Sequence, residues 1–229
     1  MDIAEKIQLV ISYILRGALL FAIGIAAFDE QWVNLFSVST IFIVTFLPAL
    51  ISRNFKIVLP IEFDVVIVIF TYATLYLGEL KHFYLRFTWW DMLLHGTSAL
   101  IFGFIGFLIV YILNHEKRLE IRMVPKFVAL FSFCFSLAIG AIWEIFEFNM
   151  DHFFGFNMQK SGINDTMKDL MLDGFGAIIA SFLGYLYLRR GEALFFARFI
   201  RKFVARNPKI FQKETPSELE EAHSRLPNS

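Results

Sequence analysis

Eight ionisable residues recur at helical spacing in three stretches of the chain: Asp91 and His95, then Glu144, Glu147 and Asp151, then Asp165, Asp169 and Asp173. Spacings of three, four and seven place each group on one face of a helix. One histidine among several carboxylates is a donor set suited to a divalent cation such as Zn, Mn, Fe or Mg. The pattern therefore predicts a metal site assembled from three helices.

The residue types within this cluster suggest different roles. Asp91, one helical turn before His95, is expected to orient the imidazole from outside the ligand set. Glu147 and Asp169 are the candidate catalytic bases, because a carboxylate beside a metal-bound water can accept its proton. The predicted metal ligands are one imidazole and four carboxylates: His95, Glu144, Glu147, Asp169 and Asp173.

The same residues also have simpler interpretations. A histidine such as His95 often only packs, and Asp165 and Asp151, which we place as supporting acids around the ligands, are equally typical of helix N-caps and loops. A charged side chain at mid-bilayer costs about 2.5–3.5 kcal/mol, and like charges repel one another. A bound cation, protonation or an ion pair must therefore compensate the acids. A metal or catalytic centre, proton or cation translocation, and structural polar packing all stay open.

The elements that must position these residues are apolar helices. Of the 229 residues, 57% are hydrophobic and 18% charged, and the mean hydropathy is +0.61, well outside the range of a soluble domain. Each apolar run can cross a ~30 Å hydrocarbon core, in which a spanning segment must be a helix or part of a closed barrel. We predict an all-α integral membrane protein, a single domain over 1–190 with six transmembrane helices: Ile7–Phe28, Val33–Ile51, Ile57–Gly78, Met92–Leu113, Val124–Phe148 and Leu170–Leu188. A signal peptide is the alternative for the first run.

The distribution of basic residues predicts the orientation. Sixteen of the 21 Lys and Arg residues fall in the amino terminus, alternate loops and the segment after Leu188, whereas the opposite loops hold four. The positive-inside rule then places both termini in the cytoplasm, and the acidic and histidine cluster faces outward. All four tryptophans fall near the outer helix ends, as an aromatic interface belt would.

The segment after the last span has a different character. Residues 192–206 place Arg198, Arg201, Lys202 and Arg206 along one helical face, opposite apolar side chains. This pattern is typical of an amphipathic helix lying on the membrane surface, with anionic inner-leaflet lipids as partners. Residues 207–229 are polar and lack periodicity, so we expect a disordered cytoplasmic tail.

Small residues predict how the last three spans pack. Ala99 and Gly103 follow the face of His95, and two more sets follow the other acidic faces: Gly140, Ser136 and Ser132 on the fifth span, and Ala177 and Ser181 on the sixth. Small residues at this spacing let helix backbones approach closely. The spans should meet along these stripes, with their polar ends converging. Elsewhere, Arg16 in the first span is expected to pair with Glu62 or Asp64.

Several function classes are not supported by the sequence. The net charge is zero, which gives no indication of nucleic-acid binding. The chain has one cysteine, so it can form neither an intrachain disulfide nor a cysteine-based metal site. There is no G-x-S-x-G motif of a serine hydrolase and no Walker-type glycine loop.

A family resemblance rests on three motifs: Trp89-Trp90-Asp91 to His95-Gly96, then Trp143-Glu144 to Glu147-Phe148, then Asp165-Thr166 with Asp169, Gly176 and Ala177. In this order they resemble the YjdF-like group of bacterial inner-membrane proteins, and more distantly the VanZ-like family. The VanZ-like pattern usually has glutamine where Glu147 stands and asparagine where Asp173 stands. The resemblance spans Gly78 to Leu188, implies a shared site in the bacterial plasma membrane, and imports no activity.

The functional hypothesis is a multi-pass membrane protein whose outward-facing site binds a divalent metal and acts on an envelope or lipid-linked substrate, as a hydrolase or transferase. Whether it is an enzyme stays open. The alternatives are a proton- or cation-coupled secondary transporter and a non-catalytic assembly protein. The sequence does not identify a protein partner.

Overall fold

The computed structural model describes residues 3–55, 57–115, 123–155, 157–160, 162–190 and 194–211. All regular secondary structure in these ranges is helical. A π-helical segment, Tyr72–Leu80, continues directly from the fourth α-helix. The α-helices are α1 Ile3–Phe28, α2 Trp32–Val44, α3 Leu47–Phe55, α4 Ile61–Thr71, α5 Phe83–Arg86, α6 Trp89–His115, α7 Pro125–Phe154, α8 Ile163–Arg190, α9 Leu194–Arg206 and α10 Pro208–Phe211.

Five helical segments of the described chain are long and apolar enough to cross a membrane: Leu9–Phe28, Ile61–Gly78, Trp89–Asn114, Pro125–Phe154 and Ile163–Arg190. The run predicted as the second span, Val33–Ile51, is divided between α2 and α3. Pro48 explains the interruption, because it has no N–H to donate to the carbonyl of Val44 and its ring crowds that carbonyl. A sixth crossing stays a prediction, as does the cytoplasmic placement of the termini.

The centre of the fold is the three-helix interface of α6, α7 and α8. The Ser136 hydroxyl donates to the Ala99 carbonyl at 2.7 Å, and the Ser132 hydroxyl donates to the Gly103 carbonyl at 2.6 Å. A Cβ on Gly103 would lie 2.5 Å from the Cβ of Ala180. These contacts confirm that α6 and α7 meet along the predicted small residues and that α8 packs closely on both.

The small-residue face of α8 follows a slightly different line from the predicted one. Its buried positions are Asp169, Asp173, Gly176, Ala177, Ala180 and Gly184. Ser181, predicted on this face, is only half-buried and donates its hydroxyl hydrogen bond to the Ile178 carbonyl of its own helix. A helix turns through about 100° per residue, so Ala180 and Gly184 continue the face that Gly176 begins.

A second group of helices, α1, α2 and α4, is held together by a polar cluster. Arg16 donates to Asp64 at 2.9 Å and to the Thr45 carbonyl at 2.6 Å, and the Ser12 hydroxyl donates to Asp64 at 2.8 Å. The sequence analysis gave Glu62 and Asp64 as the two possible partners of Arg16, and in the structure the partner is Asp64. The other acid, Glu62, pairs with Lys202 of α9.

The helix α9 packs its apolar face against the bundle. Phe199, Ile200 and Phe203 are buried in a cluster with Phe63 of α4 and Phe107 of α6. The predicted helix covered 192–206, of which 192 and 193 lie outside the described residues. Its Arg198 and Arg201 are exposed. Two of its four basic residues are thus exposed, whereas Lys202 pairs with Glu62 and the apolar face contacts protein.

The segment predicted as a disordered tail begins with ordered residues. Asn207 is 5% exposed, and its amide group donates to the Val58 carbonyl at 2.9 Å and accepts from the Val58 N–H at 2.7 Å. Pro208–Phe211 then forms α10. This peptide-like pair of hydrogen bonds holds Asn207 in place, whereas 212–229 lie outside the described residues.

The close approach of α6 and α8 predicts unequal effects of two neighbouring glycines. A Cβ on Gly176 would lie 2.7 Å from the Gly96 carbonyl oxygen and 2.8 Å from the Ala99 Cβ, whereas one on Gly174 meets nothing within 4 Å. We expect Gly176→Ala to destabilise the protein by about 1–3 kcal/mol through overpacking. Gly174→Ala should be neutral or stabilising by up to about 1 kcal/mol. Thermal unfolding in detergent checks this, and equal midpoints for the two variants would contradict the packing described.

Candidate functional site

The acidic residues converge at one end of the bundle formed by α6, α7 and α8, in which α7 runs antiparallel to the other two helices. The first turns of α6 and α8 and the last turns of α7 lie together there, and we call this the site end. The amino termini of α6 and α8 carry partial positive charge from their free N–H groups, which favours nearby carboxylates. This charge favours Asp91 and Asp165, which lie in the first turns of α6 and α8.

His95 is the centre of this cluster. It is 7% exposed, and its two ring nitrogens face different carboxylates. Nδ1 lies 3.3 Å from Asp173 Oδ2. Nε2 lies 3.8 Å from Glu144 Oε1 and 3.9 Å from Asp91 Oδ1. The Nδ1 contact is the shorter, so Asp173 is positioned to fix the ring while Nε2 points toward the other acids.

Two sets of three side chains could each hold a cation. Atoms of His95, Glu144 and Asp169 lie within 4.8 Å of one another, and all three residues are buried. Atoms of Asp91, Asp165 and Asp169 also lie within 4.8 Å of one another, at the more exposed edge. Asp169 belongs to both sets. We call the first the histidine set and the second the aspartate set.

Several carboxylate oxygens at the site have no hydrogen-bond partner among the described residues. They are both oxygens of Glu144, which is 4% exposed, and Oδ1 of Asp173, which is 1% exposed. A buried carboxylate without a donor is costly, and native structures contain few such groups. These oxygens therefore require a compensating proton or cation.

A glycine on α7 makes room for the Asp173 side chain. A Cβ on Gly140 would overlap the carboxylate of Asp173, which occupies the space beside the glycine. Asp173 is consequently enclosed between His95 and the α7 backbone. Gly140 was predicted as a small residue for helix packing, and the structure shows that its smallness also accommodates a site carboxylate.

Three of the predicted acids lie outside both sets: Asp173, which contacts His95 Nδ1, and also Glu147 and Asp151. Glu147, predicted as ligand and base, is buried and accepts a hydrogen bond from Trp143 Nε1 at 3.0 Å. Asp151, predicted as a supporting acid, accepts from the N–H groups of Met158 and Gln159 at 2.7 and 2.8 Å. Asp151 thus holds the α7–α8 connection, and its contacts there are structural.

The α7–α8 connection brings side chains to the site that spacing did not reveal. The Lys160 ammonium lies 3.1 Å from Asp91 Oδ2 and 4.8 Å from the ring centre of Tyr84. The Gln159 amide donates to the Thr166 hydroxyl at 2.7 Å. These residues lie in the chain between the acids of α7 and those of α8. A lysine within a stretch rich in acidic residues was the feature of the sequence that could have indicated this contact.

Comparison with known proteins agrees with a helical membrane protein. The chain matches the family described as "Predicted membrane protein (DUF2238)" over residues 8–190. It therefore belongs to this family, which is consistent with the YjdF-like resemblance; the VanZ-like similarity stays an interpretation of the motifs. It is also 32% identical over 123 residues to a protein of Thermotoga maritima described as "Uncharacterized protein". That match covers 53% of this chain and about three fifths (59%) of the relative. No solved structure matches the chain.

The hydrogen bonds of Asp151 predict that this residue orders the connection over the site. Each hydrogen bond to a charged acceptor is worth about 1.5–3 kcal/mol. We expect Asp151→Ala to speed amide exchange at Met158 and Gln159 by at least roughly tenfold, measured by hydrogen–deuterium exchange with mass spectrometry. Asn164→Ala, on the exposed surface of α8, is the control. Unchanged exchange in Asp151→Ala would mean that other contacts hold the connection.

Proposed function

We propose that the histidine set binds one divalent cation, with His95 Nε2 and the carboxylates of Glu144 and Asp169 as ligands. The observation that carries this proposal is that neither oxygen of Glu144, a residue 4% exposed, has a hydrogen-bond partner among the described residues. A divalent cation removes the cost of burying them without a donor. An imidazole with two carboxylates suits Zn, Mn or Fe, and Mg is the oxygen-preferring alternative.

The ring contacts of His95 suggest how the ligand is oriented. Asp173 accepts a hydrogen bond from Nδ1, which leaves the Nε2 lone pair for the cation, as in carboxylate–histidine–metal arrangements. The sequence suggested Asp91 in this orienting role and Asp173 among the ligands. We propose that Asp173 has the orienting role instead, because Asp91 lies on the Nε2 side of the ring at 3.9 Å.

The site is proposed to face the outside of a bacterial plasma membrane. Support comes from the excess of Lys and Arg in the segments joined to the opposite end of the helices. In this orientation both termini are cytoplasmic, and the exposed Arg198 and Arg201 of α9 face the inner leaflet, where anionic lipids would attract them.

The proposed activity is a hydrolase or transferase reaction on an envelope or lipid-linked substrate. Glu147 is buried near the site, carries one hydrogen bond from Trp143, and is the remaining candidate for the general base, since Asp169 is proposed as a ligand. The helix interface below the acids is closely packed at Gly103 and Ala180. Close packing there favours an enzyme site over a transporter, which needs a polar path continuing from the site.

The experiment for this proposal compares the metal content of two isosteric variants. The native protein, purified in detergent and incubated with Zn, Mn or Mg before a mild wash, should retain at least one equivalent by elemental analysis. Glu144→Gln should lose it, because the neutral amide removes a ligand charge. Glu62→Gln is the matched control, since Glu62 has a buried unpartnered oxygen but lies far from the site in contact with α9.

The outcomes separate the candidate functions. Metal retained by native protein and Glu62→Gln but lost in Glu144→Gln supports the metal site. No metal above background in native protein overturns it and turns attention to proton-coupled transport, which flux in vesicles would test. Metal retained equally by all three proteins would show that binding occurs elsewhere.

The proposed orienting role of Asp173 leads to a second expectation. Asp173→Asn should weaken metal affinity by roughly 10–100-fold and leave the stoichiometry unchanged, because outer-shell partners of a histidine act at this level. Competition titration against a metal indicator measures both quantities. Complete loss of the bound equivalent, in a variant that remains folded by thermal unfolding, would instead identify Asp173 as a ligand.

A further inference from the structure

We propose that the aspartate set binds a second divalent cation beside the first, with Asp169 shared between them. This inference rests on the proposed function of the histidine set and deepens it. Asp91 comes from α6 and the other two aspartates come from α8, so the second set bridges two helices. Its three ligand atoms lie within 4.8 Å of one another.

The state of Asp169 is the observation that points to two cations. Asp169 is 4% exposed, and its carboxylate takes part in none of the hydrogen bonds or ion pairs of the described residues. A carboxylate has two oxygens and can bridge two metals, as in sites whose ions lie about 3.5–4 Å apart. One cation in the histidine set would engage one side of Asp169, and the second set uses the other.

Lys160 indicates that the aspartate set already attracts positive charge. Its ammonium lies 3.1 Å from Asp91 Oδ2, and its backbone N–H donates to Asp165 Oδ2 at 3.1 Å. The Lys160 side chain is 29% exposed, so its ammonium can move into water. Lys160 is the counter-ion of Asp91 until a cation binds, and it then yields its place there.

The ligand chemistry distinguishes the two cations. The aspartate set offers oxygen atoms alone, which suit hard ions such as Mg²⁺ and Mn²⁺. The histidine set adds an imidazole and suits a wider range of metals. Mn²⁺ is accepted by both ligand types, and it is therefore the probe for the pair.

The test is a Mn²⁺ titration of the full chain in detergent, followed by electron paramagnetic resonance. Native protein should bind two equivalents, and the second should broaden the signal of the first through spin coupling at short distance. Asp165→Asn should bind one equivalent with an uncoupled spectrum. Asp29→Asn, which removes an exposed acid of the α1–α2 connection, is the control and should bind two.

Substitution of Lys160 provides an independent test, in which the second equivalent is expected to bind more tightly and not to be lost. Lys160→Met removes the competing charge but keeps the length of the side chain. We expect it to tighten the second equivalent by roughly twofold to fivefold, the range expected for loss of an exposed ion pair, and to leave the first unchanged. A weaker second equivalent in this variant would contradict the counter-ion role.

The results distinguish failure of this inference from failure of the proposed function. One uncoupled equivalent in native protein overturns the second site and leaves the first intact, whereas no bound Mn²⁺ overturns both. If Asp165→Asn does not fold, Asp91→Asn takes its place, with the same expected loss of one equivalent. Two coupled ions retained in the folded variant would overturn the assignment to the aspartate set.

Discussion

Burial of several carboxylates at one end of a closely packed helix interface is the constraint on which this structure depends. Glu144, Asp169 and Asp173 are each at most 4% exposed, and the described residues supply few donors to them. Charge in such a place must be compensated, because its desolvation is not offset by attraction alone. His95 provides part of this compensation through its contacts with Glu144 and Asp173, and the proposed cations provide the rest.

Close packing of α6, α7 and α8 makes the site possible. Glycine and alanine at the contacts bring the backbones together, and Gly140 leaves the space that Asp173 fills. Ser132 and Ser136 satisfy their hydroxyl groups on carbonyls of the neighbouring helix. The result is a rigid support below the acids, which suits a site that must hold several charged ligands in one geometry.

Polar contacts join the other helices to one another. Arg16 and Asp64 join α1 to α4. Lys202 joins α9 to Glu62 of α4. Asn207, which follows α9, accepts a hydrogen bond from Val58, which precedes α4. Each contact connects segments distant in sequence. The apolar face of α9, buried with Phe107 of α6, links this second group to the three-helix interface and thereby to the site.

The sequence by itself was sufficient for the features that follow from periodicity and hydropathy. It predicted an all-helical membrane protein, the face shared by Asp169 and Asp173, and the small residues at which α6 and α7 meet. Helical spacing alone decides which residues of one helix lie together. It could not decide how Val33–Ile51 divides at Pro48, because the effect of a proline depends on what surrounds the freed carbonyl.

Only the tertiary structure decided which residues of different helices meet. Spacing placed Asp91 one turn from His95 and carried no information on the distance to Asp173, but the axial positions of α6 and α8 place Asp173 at Nδ1 and Asp91 on the Nε2 side of the ring. Glu147 shares a helix face with Glu144 yet points to Trp143. Lys160 reaches Asp91 because the connection folds back over the helix ends. Relative rotation and offset between helices are set by side-chain packing across the interface, and no pattern within one helix contains that information.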